Sequence, residues 1–302
     1  MLRIAVSSLW IHAVSLLLAI IPAAVYASVI NDLTDRADDV AAGKRNRATK
    51  WSYAVLVITI GAGCGFAWLW RDDVRLVSCY AATWLAFTLY SLPPFRFKSR
   101  GVAGVLCDAA GAHLFPALVA VFIAPQEVSA AWALSVGAWA FAYGLRGILW
   151  HQLTDVENDR AADVHTFARR HPSFAARVGT FVIFPIELAA LASMLRQIRS
   201  ALPPAFLALY VLYAIWSARR WKTSPVIVAP KPRYFIVLHQ FYSDLFPIAL
   251  LIAASARDRR DLWILGAHIV LFPRRALHLL RVSASTAKTV VNASDPHHGG
   301  FG

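Results

Sequence analysis

Between residues 9 and 30 the chain carries no Asp, Glu, Lys or Arg. A membrane-spanning helix needs about 20 largely apolar residues, and this run supplies them. Comparable runs recur at 53–70, 76–92, 102–124, 130–153, 174–195, 203–216 and 234–256, with 203–216 rather short. A further stretch, 262–272, is too short to span comfortably and reads as an interfacial or tilted helix. The expected fold is all-α: a polytopic membrane helical bundle of about eight spans plus a short C-terminal helix. It forms a single transmembrane domain over 1–282, and the small, polar, Gly-ended tail 283–302 is expected to be disordered.

Composition agrees. Hydrophobic residues make up 58% of the chain and charged residues 16%, against roughly 45–50% and 25% in soluble domains. The formal charge of +13 belongs to membrane loops, which collect Lys and Arg on the cytoplasmic side. No motif of the usual nucleic-acid modules is present, so nucleic acid is not an expected partner. Cys64, Cys79 and Cys107 lie inside apolar segments without ligand spacing, which argues against zinc and against a disulfide framework. Arg3, the first apolar run and the small residues after Pro22 imitate a cleavable signal peptide. Cleavage there would strip the following acidic motif of its helix, so an uncleaved first span is expected.

That acidic motif is Asn31, Asp32, Asp35 and Asp39, at the end of the first run. On a helix Asn31, Asp35 and Asp39 are successive i, i+4 neighbours, and like charges so placed repel unless a cation sits among them. Lys44, Arg45 and Arg47 follow closely. Carboxylates next to such a basic run suit a divalent metal and an anion together. A second ladder, Asp155, Asp159 and Asp163 with Glu157, ends the fifth span. With Asp38, these two stretches hold eight of the seventeen Asp and Glu residues. Helix capping explains single aspartates but not two ladders. Loop charge places both on the cytoplasmic side, with the amino terminus outside. Mg²⁺ typically takes one or two carboxylates plus substrate phosphates. Two facing ladders would therefore hold two or three Mg²⁺ ions on one diphosphate, with Lys44, Arg47, Arg96, Lys98 and Arg146 neutralising the remainder.

The chain resembles the UbiA family of intramembrane prenyltransferases. NDxxDxxxD is matched at Asn31, Asp32, Asp35 and Asp39, and DxxxD at Asp155 and Asp159. Between them YSxPPxRxK is matched at Tyr90, Ser91, Pro93, Pro94, Arg96 and Lys98. The resemblance implies a helical bundle around a cavity open sideways to lipid. It implies Mg²⁺-dependent transfer of a prenyl group from a polyprenyl diphosphate to an aromatic or hydroxyl acceptor reached within the bilayer. The metal ligands would be Asn31, Asp32, Asp35, Asp39, Asp155 and Asp159, with Asp35, Asp155 and Asp159 central to catalysis. Metal and basic groups would stabilise the departing diphosphate, and water must be kept from the carbocation. The eleven tryptophans read first as interfacial anchors; one lining the cavity would help hold the cation.

Two departures stand out. Family members usually carry another span ahead of the NDxxD helix, nine in all, whereas here that helix starts the chain. A glycine often follows DxxxD where this chain has Asp163, read here as solvated, with an extra metal ligand the alternative.

Ionisable groups at membrane depth are usually functional. Asp108, Glu187 and Asp244 stand among apolar neighbours. Glu187 reads as structural. Asp244, after His239, Gln240, Tyr242 and Ser243, is a candidate for the acceptor pocket beside Tyr90 and Ser91. His151 lies one turn before Asp155 and reads as an orienting contact, with general-base chemistry the alternative. Of the competing readings, an ion-coupled transporter predicts acidic groups near the midplane and inverted repeats; here the acidic clusters sit at helix ends and no such repeat is seen. A CDP-alcohol phosphotransferase needs a glycine after the second Asp of DxxDG, which residues 35–41 do not supply. The setting expected is a multi-pass protein of a bacterial cell membrane, its active site facing the cytoplasm.

Overall fold

The computed structural model describes residues 6–41, 43, 45–124, 127–161 and 165–272. Lys44, Asp163 and the tail 283–302, all named above, lie outside the described residues. Helix α1 (Val6–Thr34) leads through Asp35 into the short α2 (Arg36–Ala41). Then come α3 (Ser52–Leu69) and α4 (Val74–Ser91), the latter capped by Asp73, which accepts from the Arg75 and Leu76 amides. A five-residue π turn, Ala110–Leu114, joins α5 (Val102–Ala109) to α6 (Phe115–Phe122). Helix α7 (Ala130–Thr154) leads through Asp155 into α8 (Val156–Ala161). Next are α9 (Phe167–Arg170), α10 (Pro172–Val178), a π turn at Gly179–Ile183 and α11 (Phe184–Gln197). The remainder is α12 (Leu202–Trp221), α13 (Phe246–Arg257) and α14 (Leu262–Leu271). Strands β1 (Ser224–Val226) and β2 (Tyr234–Ile236) pair in parallel, Ser224 opposite Tyr234.

The fold is all-α, as expected. Two boundaries differ from the sequence reading. Helix α12 runs to Trp221 rather than stopping near 216, since Arg219 and Arg220 fall in its last turn, where cations complement the negative end of a helix. The helix expected from 234 begins later, because Tyr234–Ile236 is taken up by the ladder.

Among the described residues, five helices are long and apolar enough to cross a membrane: Trp10–Thr34, Ser52–Leu69, Val102–Phe122, Pro172–Gln197 and Leu202–Trp221. Helix α7 is not one of them despite its 25 residues. It is an interior helix: Ser135, Gly137, Ala140, Ala142, Gly144, Arg146 and Gln152 are buried. A helix wrapped by protein can carry polar groups that lipid would not tolerate.

The chain divides into two compact units, residues 1–199 with 223–236, and residues 200–222 with 237–302. In the first, Tyr26 of α1 hydrogen-bonds Thr88 of α4 at 2.7 Å, and the Tyr80 hydroxyl donates to the Ala19 carbonyl at 3.1 Å. Tyr26, Trp84, Tyr80 and Trp70 continue this seam as a chain of ring contacts. Helix α7 meets α11 through Ser135 and Ser193, 2.8 Å apart, with Gln197 donating to Ser135. The 223–236 segment is fastened to α7 by Trp150, whose indole N–H donates to the Tyr234 hydroxyl at 3.2 Å. Val228, fully buried, fills the notch at Gly179, where a Cβ would stand 2.5 Å from it. In the second unit the Leu238 amide donates to the Tyr210 hydroxyl at 2.8 Å, and Phe241 is fully buried beside that ring.

Candidate functional site

Both acidic ladders begin where a long helix bends into a short one. The Asp35 amide donates to the Asn31 carbonyl at 2.9 Å and the Asp39 amide to the Asp35 carbonyl at 2.8 Å. Asp155 repeats the arrangement, its amide donating to His151 at 3.0 Å while its carbonyl accepts from Asp159 at 2.8 Å. Backbone i, i+4 bonding therefore runs from Asn31 to Asp39 and from His151 to Asp159, each at the C-terminal end of a long helix, while Asp163 lies outside the described residues. That location is electrostatically demanding. A helix C-terminus carries roughly half a negative charge, and α1, α4 and α7 all end here in the company of carboxylates.

Cations answer that charge. Arg96 Nη2 lies 2.9 Å from Asp35 Oδ1, and the Lys98 ammonium touches the same oxygen and also donates to Asn31 Oδ1 at 3.0 Å. Arg47 reaches Asp32 at 3.2 Å, but from a side chain 73% exposed, where solvent screens the pair. The basic segment is held close by Gly104: a Cβ there would stand 2.5 Å from the Phe97 carbonyl oxygen and 3.1 Å from Lys98 Cα. Arg96 itself has φ 38°, a left-handed conformation that costs a non-glycine residue about 1–2 kcal/mol.

Several supporting residues escaped the sequence reading. Asn46, hidden in a basic run, donates from its amide nitrogen to the Asp32 carbonyl at 2.8 Å and to Asp39 Oδ2 at 2.7 Å. It ties the loop after the first ladder back onto that ladder. Thr166 caps α9 and donates to Asp159 Oδ2 at 2.9 Å, while Arg169 donates to the Asp159 carbonyl. Gln152 accepts from the Ala168 amide at 3.2 Å, fixing α9 beneath α7. No spacing rule marks these residues, because each partner lies across a turn or loop.

Tyr90 feels the charge of both ladders. Its hydroxyl is within electrostatic reach of Asp35 from the first, Asp159 from the second, and Asp108 from α5. Ser91 beside it is buried at the end of α4. His151 Nδ1 lies 3.4 Å from Asp155 Oδ2, and His151 is also within electrostatic reach of Asp108. All of these belong to the first compact unit; Asp244, buried in the π turn Phe241–Leu245, belongs to the second.

One expected diphosphate ligand is placed elsewhere. Arg146 is 1% exposed, its Nε and Nη2 donating to the two Glu187 oxygens at 2.6 and 2.8 Å and its Nη1 to the Ile227 carbonyl at 3.2 Å. The guanidinium is consumed by a buried carboxylate. It serves the α7–α11 contact and the 223–236 segment, not an anion at the helix ends.

The donor set of the ladders is entirely oxygen, the chemistry that Mg²⁺ takes. Among the described residues no three His, Cys, Asp or Glu side chains gather closely enough to hold an ion unaided. Mg²⁺ usually needs only one or two carboxylates when substrate phosphates complete its shell, so these residues fit Mg²⁺ carried by a diphosphate.

Fold and site together define an integral membrane protein whose acidic helix ends are paired with a basic loop. The chain belongs to the UbiA prenyltransferase family, whose profile matches residues 2–237. A lycopene elongase/hydratase of Halobacterium salinarum is 30% identical over 153 residues, 49% of this chain and 54% of the relative. The match thus spans about half the length of that relative. Two solved structures share the fold, both of a UbiA homologue from Archaeoglobus fulgidus. The one bound to DMAPP and Mg²⁺ has TM-score 0.53 and 19% identity, over 72% of this chain and 80% of that one. The one bound to GPP and Mg²⁺ has TM-score 0.54 and 17% identity, over 84% and 88%.

Proposed function

We propose that this protein transfers a prenyl group from a polyprenyl diphosphate to a lipid-soluble acceptor, using Mg²⁺ held by Asn31, Asp32, Asp35, Asp39, Asp155 and Asp159. The observation that carries the reading is the Tyr90 hydroxyl, within electrostatic reach of Asp35 and Asp159 alike. Two ladders whose charge acts on one side chain suit a ligand shared between them. The two homologue structures, each bound to a prenyl diphosphate and Mg²⁺, support the same assignment.

The chemistry follows from charge. Ionisation of the allylic C–O bond leaves the electron pair on the diphosphate, so the site must favour negative charge there. Bound Mg²⁺ would supply most of that stabilisation as a Lewis acid. Lys98 and Arg96, already gathered at Asp35, would contact the diphosphate oxygens; Lys44 and Arg47, which follow the first ladder in sequence, would add positive charge. Donors fixed in place before the reaction need no reorganisation as charge develops. Tyr90, Ser91 and His151 would border the reacting carbon. Loop charge favours a cytoplasmic active site, in a bacterial cell membrane.

The resemblance to a lycopene elongase/hydratase makes an acyclic polyene one acceptor to test beside phenols and quinone head groups. Membranes carrying the protein would be incubated with labelled geranylgeranyl diphosphate and such a panel. Labelled product that vanishes with EDTA and in Asp35→Ala and Asp155→Ala supports the reading. Equal product in those variants overturns it.

A further inference from the structure

Resting on the prenyl-transfer reading, we propose that Asp108 is a further catalytic residue: the base that takes the proton the acceptor gives up. The residue sits on α5, six positions after its first residue Val102. At 1.5 Å per residue this is about 9 Å along the helix from its cytoplasmic start. The diphosphate-binding ladders lie at the helix ends, so Asp108 stands on their membrane side, where the allylic carbon of a substrate anchored by its head would lie.

Its surroundings agree. The Tyr90 hydroxyl and the His151 ring are both within electrostatic reach of the Asp108 carboxylate, and Tyr90 in turn is within reach of Asp35 and Asp159. Next to it, Cys107 donates its thiol to the Ala86 carbonyl at 3.0 Å, fixing this turn of α5 against α4. Asp108 is only half-buried, and no hydrogen bond reaches its carboxylate among the described residues. Polar groups inside membrane bundles usually serve as hydrogen-bonded contacts between helices. Among the described residues Asp108 makes no such contact. A carboxylate kept at membrane depth without a structural partner is expensive, and its two oxygens remain available to a ligand.

The reaction needs such a group. The allylic C–O bond breaks and its electrons leave with the diphosphate, and a new bond forms between the allylic carbon and the acceptor. A neutral acceptor then carries a positive charge until it loses one proton from carbon or oxygen. Asp108 accepts that proton, and the prenylated product leaves neutral. The acceptor class implied is a neutral, lipid-soluble molecule with a removable hydrogen at or next to the bond-forming atom.

The test compares wild type, Asp108→Asn and Asp108→Glu in purified protein with Mg²⁺. Binding is measured with a non-ionising thio analogue of geranylgeranyl diphosphate. The fate of labelled geranylgeranyl diphosphate is followed with native membrane lipid as acceptor. Expected for D108N are analogue binding within about twofold of wild type and acceptor prenylation down on the order of 100-fold or more, the usual contribution of a positioned base. The label then appears as prenyl alcohol, because ionisation continues without productive capture; D108E restores part of the transfer. Unchanged transfer in D108N, or binding lost in parallel with transfer, overturns the role. If wild type itself binds no analogue, the prenyl-transfer reading falls first and takes this one with it.

Discussion

Arg96 Nη2 lies 2.9 Å from Asp35 Oδ1, and the arginine makes that contact from a backbone at φ 38°. Relieving the backbone and removing the charge are separable. Arg96→Gly and Arg96→Ala should both weaken prenyl diphosphate binding, yet the glycine variant should be the more stable by about 1 kcal/mol. Thermal unfolding in detergent, beside substrate titration, checks both halves.

Lys98 contributes charge without strain. A hydrogen bond to a charged group is worth about 1.5–3 kcal/mol, so Lys98→Ala should lower kcat/KM on the order of 10- to 100-fold. Lys98→Arg should recover only part, since a planar fork replaces a compact ammonium. Initial rates against prenyl diphosphate concentration decide it.

Asn46 binds the loop to Asp32 and Asp39 without touching a reacting atom. Asn46→Ala should leave kcat largely intact and raise the Mg²⁺ concentration for half-maximal activity by about 10-fold or more, since supporting partners of a ligand typically change metal affinity by about 10- to 100-fold. An Mg²⁺ titration at saturating substrate measures the shift.

The Arg146–Glu187 pair makes a prediction about stability alone. Removing one partner of a buried ion pair costs about 3–5 kcal/mol, whereas replacing both with apolar groups of similar volume is often neutral. Arg146→Met should unfold at markedly lower temperature, and the double variant R146M/E187L should recover most of the loss. A single variant that keeps its stability but loses diphosphate affinity would return Arg146 to the substrate.

Gly104 should be intolerant for a local reason. A methyl group 2.5 Å from the Phe97 carbonyl oxygen must push backbone rather than a side chain, and overpacking of this kind costs about 1–3 kcal/mol. Gly104→Ala should therefore displace Lys98 and lower transfer roughly as far as removing its charge, on the order of 10-fold. Activity per folded protein separates the two effects.

The long helices were legible because lipid imposes length and apolarity on local sequence. The acidic ladders and the basic loop were legible because helical spacing is itself local. What stayed hidden depended on distant partners. Arg146 looked like one more cation near the site until Glu187, on another helix, claimed it. Asn46 was lost among Lys44, Arg45 and Arg47, and its role exists only because the loop folds back. The ladder of β1 and β2 was invisible because three-residue strands hold no period to read.

The bends at Asp35 and Asp155 carry one more implication. Since amide-to-carbonyl bonding runs through both bends, each carboxylate row is mechanically continuous with the long helix before it. Tilting α1 against the interior α7 would therefore move the first row relative to the second, and spanning helices adjust their tilt to the thickness of the surrounding hydrocarbon. On the proposed prenyl-transfer reading, grip on the pyrophosphoryl head becomes a property of the host bilayer as well as of the protein. Reconstitution in short-chain and long-chain lipids should yield different Mg²⁺ requirements from one and the same polypeptide.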